Sequence, residues 1–311
     1  MYYKGKGVEI NYRQAIHFFN TASSFKENSL KAQLYATRAQ SNLCIEYKSI
    51  GFCLFGNIYL IDEENQPKFV LRVVEPKYLK IKYSNFEKIV QKYYKCHHPT
   101  VLDLQGAGNQ NYYYFVTEYL EKGSLNNYLG LENTQNTKID LDLTQKLIIA
   151  FGVALGMMYL HNLGISHQDL RPSNILLDQN FYPKICNYGL LSLLSLYNQN
   201  YGKEYFAPEF FISEDYEKKD FIFNESKFDD ITFHKQADVY SYGLILCCMF
   251  TNSKMSNQIN DIRNRIFHQK NLPLSNVHPS IKLLIENCCN IEPQKRPTFI
   301  NIIQSLKLIF K

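Results

Sequence analysis

Two hydrophobic periodicities divide this chain, and their order limits what it can fold into. From about Leu43 to Glu118 the sequence runs in short stretches rich in β-branched and aromatic residues. These are Leu43 to Ile50, Ile58 to Ile61, Lys68 to Val74, Leu102 to Gly106 and Tyr112 to Glu118, each the length of a strand. One helical stretch, Asn85 to Cys96, interrupts them. Past Gly123-Ser124-Leu125 the pattern is mainly helical. Strands first and helices afterwards predict an α+β chain with a small β-rich part and a larger helical part. At 311 residues and 45% apolar content, it can bury a large core and form more than one compact unit.

Composition excludes several classes. The net charge is only +5 and no long Lys/Arg run occurs, so a nucleic-acid partner is not expected. Eight cysteines are scattered, with pairs at Cys247-Cys248 and Cys288-Cys289 but no C-x-x-C metal spacing. Reduced core thiols and a cytoplasmic location are the expectation. The start carries no hydrophobic signal segment, and the strongest apolar run, Leu244 to Phe250, falls short of the roughly 20 residues of a membrane span.

The first forty residues differ. A glycine-punctuated turn, Tyr2-Tyr3-Lys4-Gly5-Lys6-Gly7-Val8, precedes Asn11 as N-cap and a helix with Ala15, Ile16, Phe19 and Ala22 at helical spacing. A second helical pattern runs from about Ser29 to Gln40. Residues 1–40 resemble a Sel-like repeat, a relative of the tetratricopeptide repeat, with an ordinary amphipathic hairpin as the plainer alternative. One such unit cannot bury its apolar face alone. The resemblance therefore implies either a longer array of which this is a fragment or a repeat docked on its neighbour. Truncation is the preferred expectation.

The later motifs are more specific. His167-Gln168-Asp169-Leu170-Arg171-Pro172-Ser173-Asn174 is followed, thirteen residues after its last Asn, by Asn187-Tyr188-Gly189. Upstream lie Gly51-Phe52-Cys53-Leu54-Phe55-Gly56-Asn57-Ile58 and Phe69-Val70-Leu71-Arg72, and then Thr117-Glu118-Tyr119-Leu120. Downstream lie Ala207-Pro208-Glu209, Asp238-Val239-Tyr240-Ser241-Tyr242-Gly243 and Arg296. In that order over about residues 43–308 they resemble the protein kinase domain, with a Ser/Thr-type catalytic loop and a hinge most similar to the tyrosine-kinase-like group. The resemblance implies a bilobal fold, with a β-rich N-lobe over 43–118 and an α-helical C-lobe over 119–311. It implies that Gly51, Gly56, Ile58, Val70, Arg72, Thr117, Glu118, Leu120 and Leu176 contact ATP. Asp169 is implied as the base, Arg171 as a γ-phosphate contact, and Asn174 with a degenerate Asn187 as ligands of Mg²⁺. Glu209 is implied to pair with Arg296, and Asp238 to brace the catalytic loop's backbone.

Several positions depart from the family pattern, and all handle nucleotide or substrate. Cys53 replaces a glycine, so a β-carbon crowds the approach of phosphates. Arg72 replaces the usual lysine, not a conservative change at a fitted site, and Val70 replaces an alanine. The lysine's helical partner falls on Ile89 or on Glu87, depending on the anchor used for counting. Gln168 replaces an arginine, Gly202 a threonine and, most damaging, Asn187 the metal carboxylate, since Mg²⁺ leans on carboxylate charge. The expected activity is a catalytically impaired pseudokinase scaffold or switch with weak or absent Mg-ATP binding. An unconventional serine/threonine kinase using ATP and Mg²⁺ remains the alternative, and a purely adaptor role the third. Protein partners are expected at the helical repeat and at the 211–234 insertion, unless that insertion is a solvated loop.

Overall fold

A computed structural model describes residues 47–53, 56–63, 66–74, 90–109, 113–129, 140–189, 203–212, 222–223, 231–252, 255 and 272–309. The repeat over 1–40, the two candidate partners Glu87 and Ile89, and Gly202 lie outside the described residues. The chain forms two compact units, one ending at Tyr119 and the other running from Leu120 onward. Four residues, His98–Val101, belong to the second unit although they precede the boundary. The reason is local pairing: Val101 bridges Ile185 in parallel and the Ile185 amide donates to the Thr100 carbonyl.

The first unit is a five-stranded antiparallel sheet of order β1-β2-β3-β5-β4. Its strands are β1 (Tyr47–Cys53), β2 (Gly56–Glu63), β3 (Gln66–Val74), β4 (Leu104–Asn109) and β5 (Tyr113–Glu118). Residue 58 faces 72, and 70 faces 117, across the ladders. Because strand side chains alternate, Ile58, Val70, Arg72 and Thr117 share one face. Val70, Arg72 and Thr117 are buried.

The second unit is mainly helical. Its long helices are α1 (Leu143–Asn162), α2 (Ile231–Thr251), α3 (Pro279–Cys288) and α4 (Phe299–Ile309). Asp142 starts α1 with a reciprocal cap: its carboxylate accepts the Gln145 amide at 2.7 Å while Gln145 accepts the Asp142 amide at 3.0 Å. Pro279 opens α3 at a position where its missing N–H costs nothing. Two short antiparallel strand pairs, β6 (Ile175–Leu177) with β7 (Pro183–Ile185) and β8 (Phe211–Ile212) with β9 (Ile222–Phe223), lie among the helices, together with short 3-10 helices.

Two expectations are revised here. Among the described residues, α1 is long and apolar enough to cross a bilayer by length and composition, unlike the short 244–250 run singled out in the sequence. Its Ile149, Ala150, Val153, Ala154, Met157 and Leu160 are buried, and it packs against α2, α4 and β7, so its apolarity serves the core. The 211–234 insertion also ends earlier than expected. Residues 231–234 already belong to α2, with Phe233 and His234 buried and ring-packed on Phe210.

Gly152 and Gly156, four apart on α1, admit the 98–101 segment and β7. A β-carbon at Gly156 would stand 2.6 Å from Thr100 Oγ1, 2.7 Å from Ile185 Cδ1 and 3.1 Å from the Thr100 carbonyl oxygen. Alanine gains about 1 kcal/mol of helix propensity, but overpacking against a fixed carbonyl costs about 1–3 kcal/mol. Gly156→Ala should therefore destabilise the chain by up to about 2 kcal/mol, seen as a lower urea midpoint with an unchanged m-value.

Candidate functional site

The residues singled out by sequence divide between the two units, and each group has its own geometry. In the first unit Gly51 and Gly56 belong to the β1–β2 hairpin, with Gly51 opposite Ile58 and Cys53 opposite Gly56. Ile58 is half-buried on β2. Arg72 Nη1 donates to Thr117 Oγ1 at 3.4 Å, a long bond between two buried side chains. Glu118 ends β5 opposite Phe69. In the second unit Leu120 turns the chain, its carbonyl accepting the Gly123 amide at 3.0 Å. Leu176 on β6 bridges Ser124.

Asp169, Arg171, Asn174 and Asn187 are brought together in the second unit, and the thirteen-residue spacing explains how. The β6–β7 hairpin carries the chain out from Asn174 and back, so that the Cys186 amide donates to the Asn174 carbonyl at 3.0 Å. Asp178 closes its turn by accepting the amides of Asn180 and Tyr182 at 2.8 and 2.9 Å. The Gly189 amide then donates to the His167 carbonyl at 2.9 Å, tying the far end to the loop's start.

The loop itself is held from beneath by Asp238 on α2. Its Oδ2 accepts the His167 amide at 2.7 Å and lies 2.9 Å from His161 Nε2, while Oδ1 accepts the Gln168 amide at 2.9 Å. The bracing expected of Asp238 is thus present. Glu209 and Arg296 form the expected pair, bidentate at 2.6 and 2.8 Å, and Arg296 Nε also donates to the Asn290 carbonyl at 2.8 Å.

Polar groups facing one another in the loop are engaged internally. Asn174 Nδ2 donates to the Asp169 carbonyl at 2.7 Å and to Asp169 Oδ2 at 2.8 Å, and Asn187 Nδ2 donates to Asn174 Oδ1 at 2.9 Å. Arg171, a γ-phosphate contact by resemblance, pairs with Glu204 at 3.1 Å and lies over the Tyr205 ring at 5.8 Å. Sequence reasoning missed Glu204, which no spacing rule links to Arg171 across 33 positions. His167 stood at the head of the sequence motif without a role; its Nδ1 accepts the Asp169 amide at 3.2 Å.

This donor set does not fit Mg²⁺. A hard divalent cation in such a site relies on carboxylate oxygens, yet positions 174 and 187 offer neutral amides, one already donating to the other. The carboxylate of Asp169 is buried and takes a hydrogen bond from Asn174. Among the described residues no cluster of three or more His, Cys, Asp or Glu side chains is arranged to hold a metal.

A family model described as protein tyrosine and serine/threonine kinase matches residues 45–306. A probable serine/threonine-protein kinase of Dictyostelium discoideum is 31% identical over 290 residues, 91% of this chain and 26% of its own length. The serine/threonine-protein kinase CTR1 of Arabidopsis thaliana is 29% identical over 276 residues, 85% of this chain and 31% of its own. An RGS domain-containing serine/threonine-protein kinase A of Dictyostelium discoideum is 32% identical over 220 residues, 68% of this chain and 18% of its own. The chain spans less than a third of the length of each of these relatives.

Burial sets two opposed proton equilibria in the loop. It pushes the Asp169 carboxyl up from 3.8 to about 6, against the nearby Arg171 charge and the Asn174 hydrogen bond, and pushes the His167 imidazole down from 6.5 to about 4. Between about pH 4 and 6 the unfolded chain holds the extra proton at His167, so that group's stability contribution is lost as pH falls. Over the same window the folded state holds the extra proton at Asp169, so that contribution grows as pH falls. The two nearly cancel. Asp169→Asn removes one of them, so its stability relative to wild type should fall by about 1 kcal/mol per pH unit on acidification through this window, read from urea titrations at a series of pH values.

Proposed function

This chain belongs to the protein kinase family, and on that premise we propose that it is a catalytically impaired pseudokinase, a scaffold or switch in intracellular signalling with weak or absent Mg-ATP binding. The observation that carries this reading is the ion pair at 3.1 Å in which Glu204 engages Arg171. Phosphoryl transfer consists of positioning and charge neutralisation. A guanidinium neutralised within the protein contributes less to either. The sequence changes at Arg72, Val70, Cys53 and Asn187 act in the same direction. Loss of one preorganised electrostatic contact costs about 10²–10³ in rate. Losing a carboxylate together with a compromised lysine position costs roughly 10⁴–10⁶ if the effects are independent. Protein partners at the 1–40 repeat and around the 211–234 insertion, and a cytoplasmic location, are parts of the same proposal.

One observation favours a second reading, an unconventional serine/threonine kinase. Asp169 keeps its carboxylate, and burial raises its proton affinity toward the range useful to a general base at neutral pH. Arg72 and Arg171 would then support the phosphates.

Thermal unfolding with ATP, in the presence and absence of Mg²⁺, followed by phosphate transfer to a generic protein substrate, separates the two. The pseudokinase reading expects no Mg²⁺-dependent stabilisation by ATP and no transfer above background. Metal-dependent stabilisation with activity abolished by Asp169→Ala would sink it. A variant combining Asn187→Asp, Arg72→Lys and Val70→Ala should recover nucleotide-induced stabilisation, and its failure would place the obstruction elsewhere.

A further inference from the structure

The hydrogen bond between Asn187 and Asn174 has a direction, and the direction is fixed by the rest of the loop. Asn174 spends its amide nitrogen on two acceptors of Asp169, the carbonyl at 2.7 Å and Oδ2 at 2.8 Å. Its oxygen is therefore the end turned toward residue 187. An amide oxygen at such a place is satisfied by a donor or by a cation. Asn187 supplies a donor, Nδ2, at 2.9 Å. A carboxylate at 187 has no hydrogen to offer, so two acceptor oxygens would face each other unless a cation stood between them.

The scaffold around this contact does not depend on what residue 187 carries. The Cys186 amide is bonded to the Asn174 carbonyl and the Gly189 amide to the His167 carbonyl, so the backbone on both sides of 187 is tied down. Residue 187 itself sits at φ 61, the left-handed region that Asn and Asp tolerate better than other residues with a β-carbon. Exchanging Asn187 for Asp thus changes the hydrogen-bonding end and the charge with little backbone cost.

We infer that Asn187 is a built-in replacement for a divalent cation: its amide donor satisfies the Asn174 oxygen and completes the loop, so that folding of this region is independent of metal. The inference rests on the pseudokinase reading and deepens it, since it turns the loss of a metal carboxylate into the gain of a structural contact. Asn187 is here a positioning residue, acting through Asn174 on Asp169.

The test uses the full chain without nucleotide, at mildly alkaline pH so that an introduced carboxyl is ionised. Tm is measured in EDTA and in millimolar Mg²⁺. The wild type should show the same Tm in both. Asn187→Asp should melt roughly 3–6 °C lower than wild type in EDTA, the size expected for one lost part-buried bond with the buried Asn174 oxygen left unpaired, and Mg²⁺ should restore most of the difference. Asn187→Ala, which removes the donor without adding charge, should melt lower than wild type in both conditions, with no response to Mg²⁺. A wild type stabilised by Mg²⁺ alone would overturn the inference, and so would an Asn187→Asp protein that matches wild type in EDTA. An Asn187→Asp protein that is destabilised or unfolded and is not rescued by Mg²⁺ overturns it as well. Because no ATP is present, these outcomes are independent of whether the wild type proves to bind Mg-ATP.

Discussion

The loop that gathers Asp169, Arg171 and Asn174 hangs from one buried carboxylate. Asp238 is 2% exposed and accepts two backbone amides while lying within hydrogen-bond distance of His161. A carboxylate taken from water is costly unless it is well hydrogen-bonded, and here three groups engage it. In return it fixes a backbone that would not hold itself. Gln168 sits at φ 71, a left-handed conformation costing about 1–2 kcal/mol for a residue with a β-carbon, and its amide is one of the two that Asp238 holds. From that anchor the order propagates outward: His167 Nδ1 to the Asp169 amide, Asp169 to Asn174, and Asn174 to the returning arm of the β6–β7 hairpin.

Further anchors converge on the same helix, which explains its unusual sequence. Arg296 donates to the Gln236 carbonyl on α2, lies over Tyr240 at 4.9 Å and grips Glu209. Ser241 Oγ donates to the Tyr205 carbonyl at 2.8 Å. Residues 205 and 209, just past the missing threonine position, are thus tied to the element that braces the catalytic loop. A helix bonded and packed on all sides has no solvent face to alternate with. That is why Ala237 through Met249 are buried without interruption, charged Asp238 included.

Much of the architecture was legible because it follows from periodicity, and what was not legible depends on pairing. β3 and β5 lie where their β-branched and aromatic residues put them. β2 runs to Glu63 rather than stopping at Ile61, because pairing of Asp62 and Glu63 with Pro67 and Gln66 continues through polar residues that a hydrophobic pattern does not count. β4 covers Leu104–Asn109 rather than Leu102 to Gly106, because its register with β5 decides its ends. At the site, the Asp238 bracing and the Glu209–Arg296 pair were readable from residue type and motif order. The Arg171–Glu204 pair was not, since two surface-type residues far apart in sequence carry no periodic signal. Nor was the hydrogen bond of Asn187, because a substitution read as the loss of a ligand does not reveal that its nitrogen finds an acceptor.

Charge within the loop shows why a retained Asp169 says little about turnover. Asp169 and Glu204 each bring a negative charge and Arg171 one positive charge, while Asn174 and Asn187 are neutral. An aspartate at 187 would add a further negative charge beside a buried carboxylate, an arrangement that calls for cations. With asparagine there the excess is held to a single charge, and the oxygen of Asn174 is satisfied by an N–H instead. Asp169 meanwhile has an architectural duty, as its carbonyl and carboxylate both accept from Asn174. Removing it would leave a buried amide without acceptors, a cost of about 1–3 kcal/mol that has nothing to do with catalysis. A residue that serves both the fold and the chemistry can be kept for the fold alone. The informative position is therefore 187, where the family's charge and this chain's hydrogen bond make opposite demands on the same place in the loop.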